Sequence, residues 1–520
     1  MILTLVVFGM AVLLWVCTPL DDTFVALAAV AALLLFGVLP ASSLAALGSS
    51  TTWLLIAAFV LAAGVTASGL PLRLASWLVG RARTVRGLAH LTALALLLTA
   101  FFVPSTSGRA ALALPVCSAL RTRLNSRVAR ALGVLFPSVI LLTAVASLVG
   151  AGAHLITSSL LETATGQGIG FGWWLLLGVP LALVSAHVTA EIVLWRFTTR
   201  SDRVAPLLAV PLGAGSSWES PTVELPVRTL VPATIVASAL VPAARSEGRL
   251  QGVPCSKYPT RQRQFRTLEL PPTPTASATT GLRMFTTATG ASQLTGPQTF
   301  TTPMGSPQLA EPSRLNGSQQ LTRPEWTALA LVLTVSLAWL TEPRHHIRPE
   351  VIALAGAVVI TAPRLGTTTM KRAFADIPWS LLLFMAATTM LGTALIDSGA
   401  GNLLAGLVSP THLLPTVIVV SLLAHLVIQS RSARSSVLIP IVIPLAVTAG
   451  LNPVALAFAS TAAAGFCHTL TSSAKPVALF SDAYRPRDLL KLSALLAPVT
   501  AGLVFGFAVL VWPHLGLPLH

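Results

Sequence analysis

The sequence predicts an all-α polytopic membrane protein built from two inverted repeats, each with five transmembrane helices and one re-entrant hairpin. The composition is the first observation: 54% of the 520 residues are hydrophobic and only 10% are charged, whereas soluble domains carry about 25% charged residues. Many apolar runs approach the ~20 residues with which a helix spans a bilayer. A short polar motif also occurs once in each half, and it interrupts an apolar run both times.

The repeated motif has the form Ser-x-Ser-x-Arg, five further residues, then Pro. Its two copies, 325 positions apart, consist of Ser105, Ser107, Arg109 and Pro115, and of Ser430, Ser432, Arg434 and Pro440. Other anchors follow in the same order, such as Trp15 with Trp339 and Trp53 with Trp379. Ordered matches of this kind indicate an internal repeat. Because arginine is costly at bilayer depth, each motif is a candidate functional site.

The first repeat is predicted to cover residues 1–200. Its apolar segments are Ile2–Thr18, Phe24–Leu39, Thr52–Gly69, Gly87–Val103, Ala110–Leu120, Ala131–Ile156 and Phe171–Trp195. The fifth segment would form only about 16 Å of helix, too short for a ~30 Å bilayer core. Arginines flank the fourth and fifth segments on both outer sides, which places both ends on the cytoplasmic face. Residues 87–120 are therefore predicted to form a re-entrant hairpin with its tip at Pro104–Arg109.

The second repeat is predicted to cover residues 323–520, with a re-entrant hairpin at residues 413–449. Its apolar segments are Trp326–Leu340, Pro349–Ala362, Trp379–Ile396, Leu413–Ile428, Ser436–Ala449, Pro453–Phe480 and Leu490–Trp512. Five crossings per half, an odd number, invert the second half relative to the first. Basic residues concentrate in the loops that this topology places in the cytoplasm, which accounts for most of the net charge of +16. The expected location is the cell membrane, inner or plasma, with both termini outside.

Residues 201–322 separate the two repeats and differ from them in composition. They are rich in Pro, Ser, Thr and Gly, and they lack a sustained helical or strand period. The sequence therefore predicts a polar, disordered cytoplasmic insertion. A small regulatory domain is the alternative interpretation.

The two hairpin tips are expected to meet near the bilayer midplane, where transporters with repeats place their substrate. Hydroxyls, arginines and the positive ends of the returning helices favour a bound anion. The predicted substrate-binding residues are Ser105, Thr106, Ser107, Arg109, Ser430, Arg431, Ser432, Arg434, Thr471, Ser472 and Ser473. The alternative is that individual arginines pair with an acidic residue or extend to the membrane surface.

A second break is predicted after each hairpin, at Gly150–His154 and at Thr469–Pro476. Unwound helices expose carbonyl groups that coordinate cations in transporters. The cation-site candidates are Gly150, Gly152, Thr469 and Lys475. His154, His425 and His468 lie near the predicted site, and His187 is spaced to pair with Glu191 or to relay a proton. The sequence predicts no metal site and no cofactor; Na⁺ or H⁺ is the expected coupling ion.

The tips resemble those of the divalent anion/sodium symporter family, which belongs to the ion transporter superfamily with arsenite and citrate carriers. That family's tips carry Ser-Asn-Thr, with Pro ten residues after the Ser. Here the matching stretches are Ser105-Thr106-Ser107 with Pro115, and Ser430-Arg431-Ser432 with Pro440. The resemblance covers both halves and implies a dimeric, elevator-type carrier of dicarboxylates, tricarboxylates or sulfate that is usually coupled to sodium.

The departures from the family pattern concern charge. Neither tip has the asparagine, and Arg431 replaces one of them. Arg109 and Arg434 occupy small or hydroxyl positions close to the family's sodium sites. Because a fixed positive charge a few Å away opposes sodium binding, the sequence predicts weakened or absent sodium dependence, with proton coupling or anion exchange instead.

The leading prediction is thus a secondary active carrier of small anions, not an enzyme. Its expected partners are the anionic substrate, the lipid bilayer and a second copy of the chain, without nucleic acid. A sodium-coupled symporter and an arsenite or other oxyanion efflux carrier are alternatives on the same scaffold. An intramembrane hydrolase using Ser105 and a channel are alternatives from other classes, but a duplicated serine fits two carrier tips better than one nucleophile.

Overall fold

Helices form nearly all the regular structure in the described part of the chain. The structure, a computed structural model, describes residues 1–18, 20–103, 105–207, 321–399 and 412–520. Within these ranges, β pairing is limited to one isolated bridge between Thr84 and Pro206. Most of residues 201–322, from 208 to 320, therefore lies outside the described residues, as do Pro19, Pro104 and residues 400–411.

The helices of the first half differ widely in length. They are α1 Ile2–Cys17, α2 Asp22–Leu35, α3 Ser50–Ala67, α4 Leu70–Val79, α5 Val85–Phe102, α6 Thr106–Arg121, α7 Ser126–Leu142, α8 Gly152–Thr165, α9 Phe171–Phe197 and α10 Arg200–Val204. Three short 3-10 turns are interspersed, at Ala41–Gly48, Thr143–Ala146 and Leu148–Gly150.

The helices of the second half follow a similar order. They are α11 Arg323–Leu340, α12 Glu342–His345, α13 Pro349–Ile360, α14 Met370–Ala375, α15 Trp379–Asp397, α16 Leu413–Leu423, α17 Arg431–Thr448, α18 Pro453–Ala464, α19 Lys475–Leu479 and α20 Pro486–Gly506. Short 3-10 turns lie at Ala424–Leu426, Ser481–Ala483 and Trp512–Leu515, and a π turn at Phe507–Val511 continues α20.

Seven helical stretches of the described chain are long and apolar enough to cross a membrane. They are Ala41–Ala67, Val85–Phe102, Ser126–Ala146, Phe171–Phe197, Trp379–Asp397, Arg431–Thr448 and Pro486–Leu515. Six more apolar helices have 10–17 residues: Ile2–Cys17, Asp22–Leu35, Leu70–Val79, Pro349–Ile360, Leu413–Leu426 and Pro453–Ala464. The all-α, polytopic membrane class is confirmed. The five crossings per half and the inverted repeats remain predictions.

Both motif helices begin earlier than predicted, because hydroxyl groups cap them. The Ser105 side chain accepts the Gly108 N–H at 3.3 Å, and the Ser430 side chain accepts the Ala433 N–H at 3.3 Å. Such caps satisfy N–H groups that a helix start leaves free. Consequently α6 has 16 residues, about 24 Å of helix, and the predicted start at Ala110 was wrong. Helix α17 likewise begins inside its motif, at Arg431, five residues before the predicted apolar segment Ser436–Ala449.

Helices of the two halves pack against one another. Helix α2 packs on α15, α3 on α13, and α8 on both α17 and α18. Two glycines that match in the repeat lie at such crossings: a Cβ at Gly64 would overlap the Ile360 side chain, and one at Gly392 would come within 2.5 Å of Leu160. The close approach of these helices brings the two motif helices into one buried region.

The first residues after α9 are ordered. Thr199 and Asp202 form a capping box at the start of α10, and backbone and side-chain hydrogen bonds from Thr199 lower the pKa of the Asp202 carboxyl. The Leu207 N–H donates to the Arg83 carbonyl at 2.9 Å. Residues 201–207, which the sequence assigned to the disordered insertion, are thus part of the helical body.

Candidate functional site

The two tips meet at the C-terminal end of α7. Arg109, from the first tip, donates from Nη1 to the Ile140 carbonyl at 2.9 Å. Arg431, from the second tip, donates from Nη2 to the next carbonyl, Leu141, at 3.2 Å. A Cβ at Gly152, the first residue of α8, would lie 3.1 Å from Ser432 Oγ. The structure thus brings parts of both predicted tips to the first helix break.

Arg109 is completely buried, and all its side-chain nitrogens donate to the protein. Besides the Ile140 bond, Nε donates to Thr99 Oγ1 at 2.9 Å. Nη2 donates to the Leu96 carbonyl at 2.6 Å and to Thr143 Oγ1 at 2.7 Å. These partners come from α5, from the end of α7 and from the turn that follows it. The guanidinium therefore holds the first helix break against its own hairpin.

Arg431 bridges the breaks of the two halves. It is half-buried, and Nη2 also donates to the Gly465 carbonyl at 3.1 Å, just after α18. The C-terminal end of a helix carries partial negative charge on its free carbonyls. A positive charge at this position stabilises both helix ends, one from each half.

Arg434 is as buried as Arg109 but has fewer partners. Nη1 donates to the Phe466 carbonyl at 3.3 Å. Nε and Nη2 have no hydrogen-bond partner among the described residues, and neither does Nη1 of Arg431. The second half therefore contains guanidinium N–H groups that are buried and unpaired.

Carboxylates do not balance these three arginines in the described part of the chain. The ion pairs there are Arg73–Glu325, Arg86–Glu191, His90–Glu191, Arg127–Asp202 and Arg348–Glu350. The alternative that the motif arginines pair with acidic residues is thus not what the described residues show. The tips form a region of uncompensated positive charge.

The hydroxyl residues of the tips lie at the edge of this region. Ser105, Thr106 and Ser107 are partly exposed at the start of α6, as are Ser430 and Ser432 around the start of α17. Hydroxyl groups in this position can donate to an anion that approaches the arginines.

Both helix breaks begin before the residues that the sequence indicated. Helix α7 already ends at Leu142 and the chain re-enters a helix at Gly152; α18 ends at Ala464 and the next helix starts at Lys475. The residues that cap the restarting helices, Ala151 and Ala474, have the same extended backbone, with φ at −158° in both. The breaks were predicted, but their first boundaries were placed too late.

The cation-site candidates lie in different surroundings. A Cβ at Gly150 would overlap the Ala144 carbonyl oxygen, so this glycine permits a tight 3-10 turn. Thr469 Oγ1 bonds to His425 Nε2 at 2.7 Å and to Ser493 Oγ at 2.5 Å. Lys475 is exposed at the start of α19. Among the described residues, the hydrogen bonds of Thr469 go to His425 and Ser493 and not to the first break, which contains Gly150 and Gly152.

The hydroxyl residues predicted in the second break serve its own turn. Ser473 Oγ accepts the Leu470 N–H at 2.9 Å and is buried. Thr471 is half-buried and Ser472 is exposed. Of the three, only Ser473 has a hydrogen bond that organises the break.

The three histidines near the tips differ in their partners. His154 stacks on Trp174, with ring centroids 5.0 Å apart, and its Nδ1 lies 2.9 Å from the Ser147 carbonyl. His425 bonds to the Leu422 carbonyl and to Thr469. His468 is fully buried, and neither ring nitrogen has a partner among the described residues.

One histidine that the sequence reasoning missed connects the predicted pair. His90 Nδ1 lies 2.9 Å from His187 Nδ1, and His90 Nε2 lies 2.7 Å from Glu191 Oε1. Arg86 completes the chain with an ion pair to Glu191 at 2.7 Å. The signal available was a histidine inside an apolar run, but its partners lie on another helix. These hydrogen-bonded side chains can share a proton between α5 and α9.

A cavity of about 380 Å³ lies among the Ala41–Gly48 turn, α3, α8 and α15. Nine of its fifteen lining residues carry a hydroxyl, among them Ser49, Thr52, Ser159, Thr389 and Thr393, and Glu162 also lines it. Helix α8 connects this cavity to the tips, because its first residue, Gly152, lies beside Ser432. The distance along the helix from Gly152 to Ser159 is about 10 Å.

Comparison with known proteins identifies the family of the chain. The model of the CitMHS family, described as citrate transporter, matches residues 12–464, which include both motif copies. A protein of Cupriavidus necator described as "Membrane protein" is 25% identical over 210 residues, which are 38% of this chain and 41% of that protein. The chain thus spans about two fifths of the length of this curated relative. Because the family match covers most of the sequence, the chain belongs to the CitMHS citrate transporter family.

Proposed function

We propose that the protein is a secondary active transporter of small anions, with di- and tricarboxylates such as citrate, or sulfate, as substrates, and that it works without sodium. It is proposed to act in the cell membrane as a homodimer of elevator type, driven by protons or by anion exchange. The observation that carries the proposal is the set of three arginines, Arg109, Arg431 and Arg434, at the meeting point of the tips without a carboxylate within ion-pair distance among the described residues.

The preference for an anion follows from charge balance. A buried charge without a counterion is costly, and removal of one partner from a buried ion pair typically costs 3–5 kcal/mol. A carboxylate or sulfate supplies the missing negative charge and accepts two parallel hydrogen bonds from a guanidinium. The partly exposed hydroxyls of Ser107 and Ser432 give such an anion further donors.

The independence from sodium follows from the partners of Arg109 and Arg431. Unwound helix ends in transporters coordinate Na⁺ through their carbonyl oxygens. Here the carbonyls of Ile140, Leu141 and Gly465 accept N–H donors from the two arginines. A guanidinium that is already present satisfies the helix ends in the way a bound cation would, and its charge repels a second cation.

Uptake by purified protein in liposomes tests the proposal. Initial rates of labelled citrate uptake are measured with Na⁺ and with choline as the main cation, and then with an imposed pH gradient or with citrate inside the vesicles. We expect equal rates in Na⁺ and choline, and acceleration by the pH gradient or by internal citrate. Sulfate, succinate and arsenite serve as competitors to define the substrate class. Uptake that stops when Na⁺ is removed would contradict sodium independence.

A further inference from the structure

The two motif arginines occupy the same place in their helices but different surroundings. Arg109 makes four hydrogen bonds, whereas among the described residues Arg434 donates to one carbonyl, that of Phe466, and otherwise lies beside the Cys467 thiol, a weak acceptor. Both side chains are 0% exposed. Each arginine donates from Nη1 to a carbonyl at the following helix break: Arg109 to Ile140, 31 residues later, and Arg434 to Phe466, 32 residues later. The difference lies in the other nitrogens.

The sequence explains why Arg434 lacks partners. The two hydroxyl acceptors of Arg109 are Thr99 and Thr143. At the positions 325 residues later the chain has Ala424, which has no side-chain acceptor, and His468; at 326 residues, the separation of Ile140 and Phe466, it has His425 and Thr469, which bond to each other. Neither ring nitrogen of His468 has a hydrogen-bond partner among the described residues. Neither correspondence gives Arg434 the two hydroxyl partners that Arg109 has.

Unpaired polar atoms accumulate around the second tip. They are Nη1 of Arg431, Nε and Nη2 of Arg434, Oγ of Ser435, and both ring nitrogens of His468. The hydrogen bonds of Arg431 to Gly465 and of Arg434 to Phe466 hold this tip against the break that contains His468. Buried polar groups in native proteins nearly always have partners, so a group of orphaned donors indicates a missing acceptor.

We propose that these atoms form an anion subsite in the second half, which binds a carboxylate of the transported acid, while Arg109 is a fixed structural cation that does not touch the substrate. This assignment rests on the proposed function, and it divides the roles of two arginines that the repeat makes equivalent. Arg434 and Arg431 supply N–H donors to the carboxylate oxygens. Ser435 and one ring N–H of a neutral His468 supply further donors. Sulfate offers the same acceptor chemistry, so the test separates the two anions.

The experiment compares Arg434→Met with Arg109→Met in thermal unfolding of the purified protein, without ligand and with citrate, sulfate or chloride. Methionine keeps an unbranched stem that reaches about as far as Nε, and it removes the charged guanidinium. We expect Arg434→Met to unfold at the wild-type temperature or above it, because it removes orphaned donors, and to lose the upward shift that citrate causes. Arg109→Met is expected to unfold at a lower temperature, because it leaves the Leu96 and Ile140 carbonyls without this donor, and to retain the citrate shift. Arg109→Lys serves if the methionine variant does not fold.

Each result decides between the alternatives. A citrate shift that persists in full in Arg434→Met overturns the subsite and leaves the proposed function intact. Loss of stability in Arg434→Met that equals the loss in Arg109→Met also overturns it, because Arg434 would then have protein partners. Stabilisation by sulfate but not by citrate overturns the assignment to a carboxylate. Wild-type protein that no tested anion stabilises contradicts the proposed function itself.

Discussion

Buried arginine can stabilise a fold only where acceptors surround it, and Arg109 shows how the chain provides them. Two of its acceptors are hydroxyls, Thr99 Oγ1 and Thr143 Oγ1. Replacement of either threonine by valine keeps the shape and leaves one N–H of a buried cation unpaired. We expect Thr99→Val and Thr143→Val each to lower the free energy of unfolding by about 1–3 kcal/mol. Unfolding titrations of the purified protein in detergent measure the change.

Thr189→Val is the matched control for these two variants. Thr189 is also fully buried, but its hydroxyl donates to the Ser185 carbonyl of its own helix at 2.6 Å. That carbonyl belongs to the regular hydrogen-bond ladder of α9, so no donor is orphaned. The control should lose less than about 1 kcal/mol. Equal losses in all three variants would contradict the assignment of Thr99 and Thr143 as partners that Arg109 requires.

At the scale of elements, the first helix break depends on backbone contact at Gly150. A Cβ at this position would overlap the Ala144 carbonyl oxygen, so the two 3-10 turns between α7 and α8 would have to separate. We expect Gly150→Ala to destabilise the protein by about 1–3 kcal/mol, as overpacking does. The break directly follows the Ile140 and Leu141 carbonyls, which bind Arg109 and Arg431. Because a shift of the break would displace these arginines, citrate uptake should fall as well. Thermal unfolding and liposome uptake measure both effects.

Gly502→Ala is the control for the effect of an added methyl group. A Cβ at Gly502 has no atom within 4 Å, and the residue lies inside α20. Alanine favours a helix over glycine by about 1 kcal/mol, so this variant should be as stable as the wild type or more stable. Unchanged stability and uptake in Gly150→Ala would show that the turn can relax, and would refute its role in positioning the break.

The existence of the breaks could be predicted from sequence, and their boundaries could not. Glycines in one stretch and Ser, Thr and Pro in the other predict an interruption near Gly150 and Thr469. The helices end sooner because arginines from other elements satisfy the carbonyls of Ile140, Leu141 and Gly465. Such donors are tertiary contacts, which local composition does not contain. Helix α6 is longer than predicted for a local reason. The Ser105 side chain caps it, but the first turn of the helix is polar, so the apolar segment begins one turn after the helix does.

The same limit applies to pairings between helices. A spacing of four residues predicted that His187 and Glu191 share a helix face, as they do on α9. The sequence does not state which residue of another helix approaches that face, and His90 of α5 fills the position. Similarly, the repeat predicted that the two motif arginines are equivalent. Their different partners arise from Thr99 and Thr143 in one half and from Ala424 and His468 in the other.

At the scale of the whole molecule, composition was sufficient for the membrane class, but helix length alone does not give the number of crossings. In the described ranges, seven helical stretches are long enough to span a bilayer and six apolar helices are shorter. Tilted neighbours and buried surroundings allow short helices at membrane depth. The inversion of the halves therefore depends on the odd number of crossings that the sequence predicts, and on the distribution of basic residues.

Labelling of cysteines from outside tests the inversion directly. Thr122 and Val447 lie 325 positions apart, near the ends of α6 and α17, and both are exposed. In inverted repeats, equivalent residues face opposite sides of the membrane, so Thr122→Cys should lie in the cytoplasm and Val447→Cys outside. In a background without Cys17, Cys117, Cys255 and Cys467, we expect a membrane-impermeant maleimide to label Val447→Cys in intact cells, and Thr122→Cys only after permeabilisation. Labelling of both variants from the same side would mean an even number of crossings between them, and the two tips would then not approach the substrate from opposite faces.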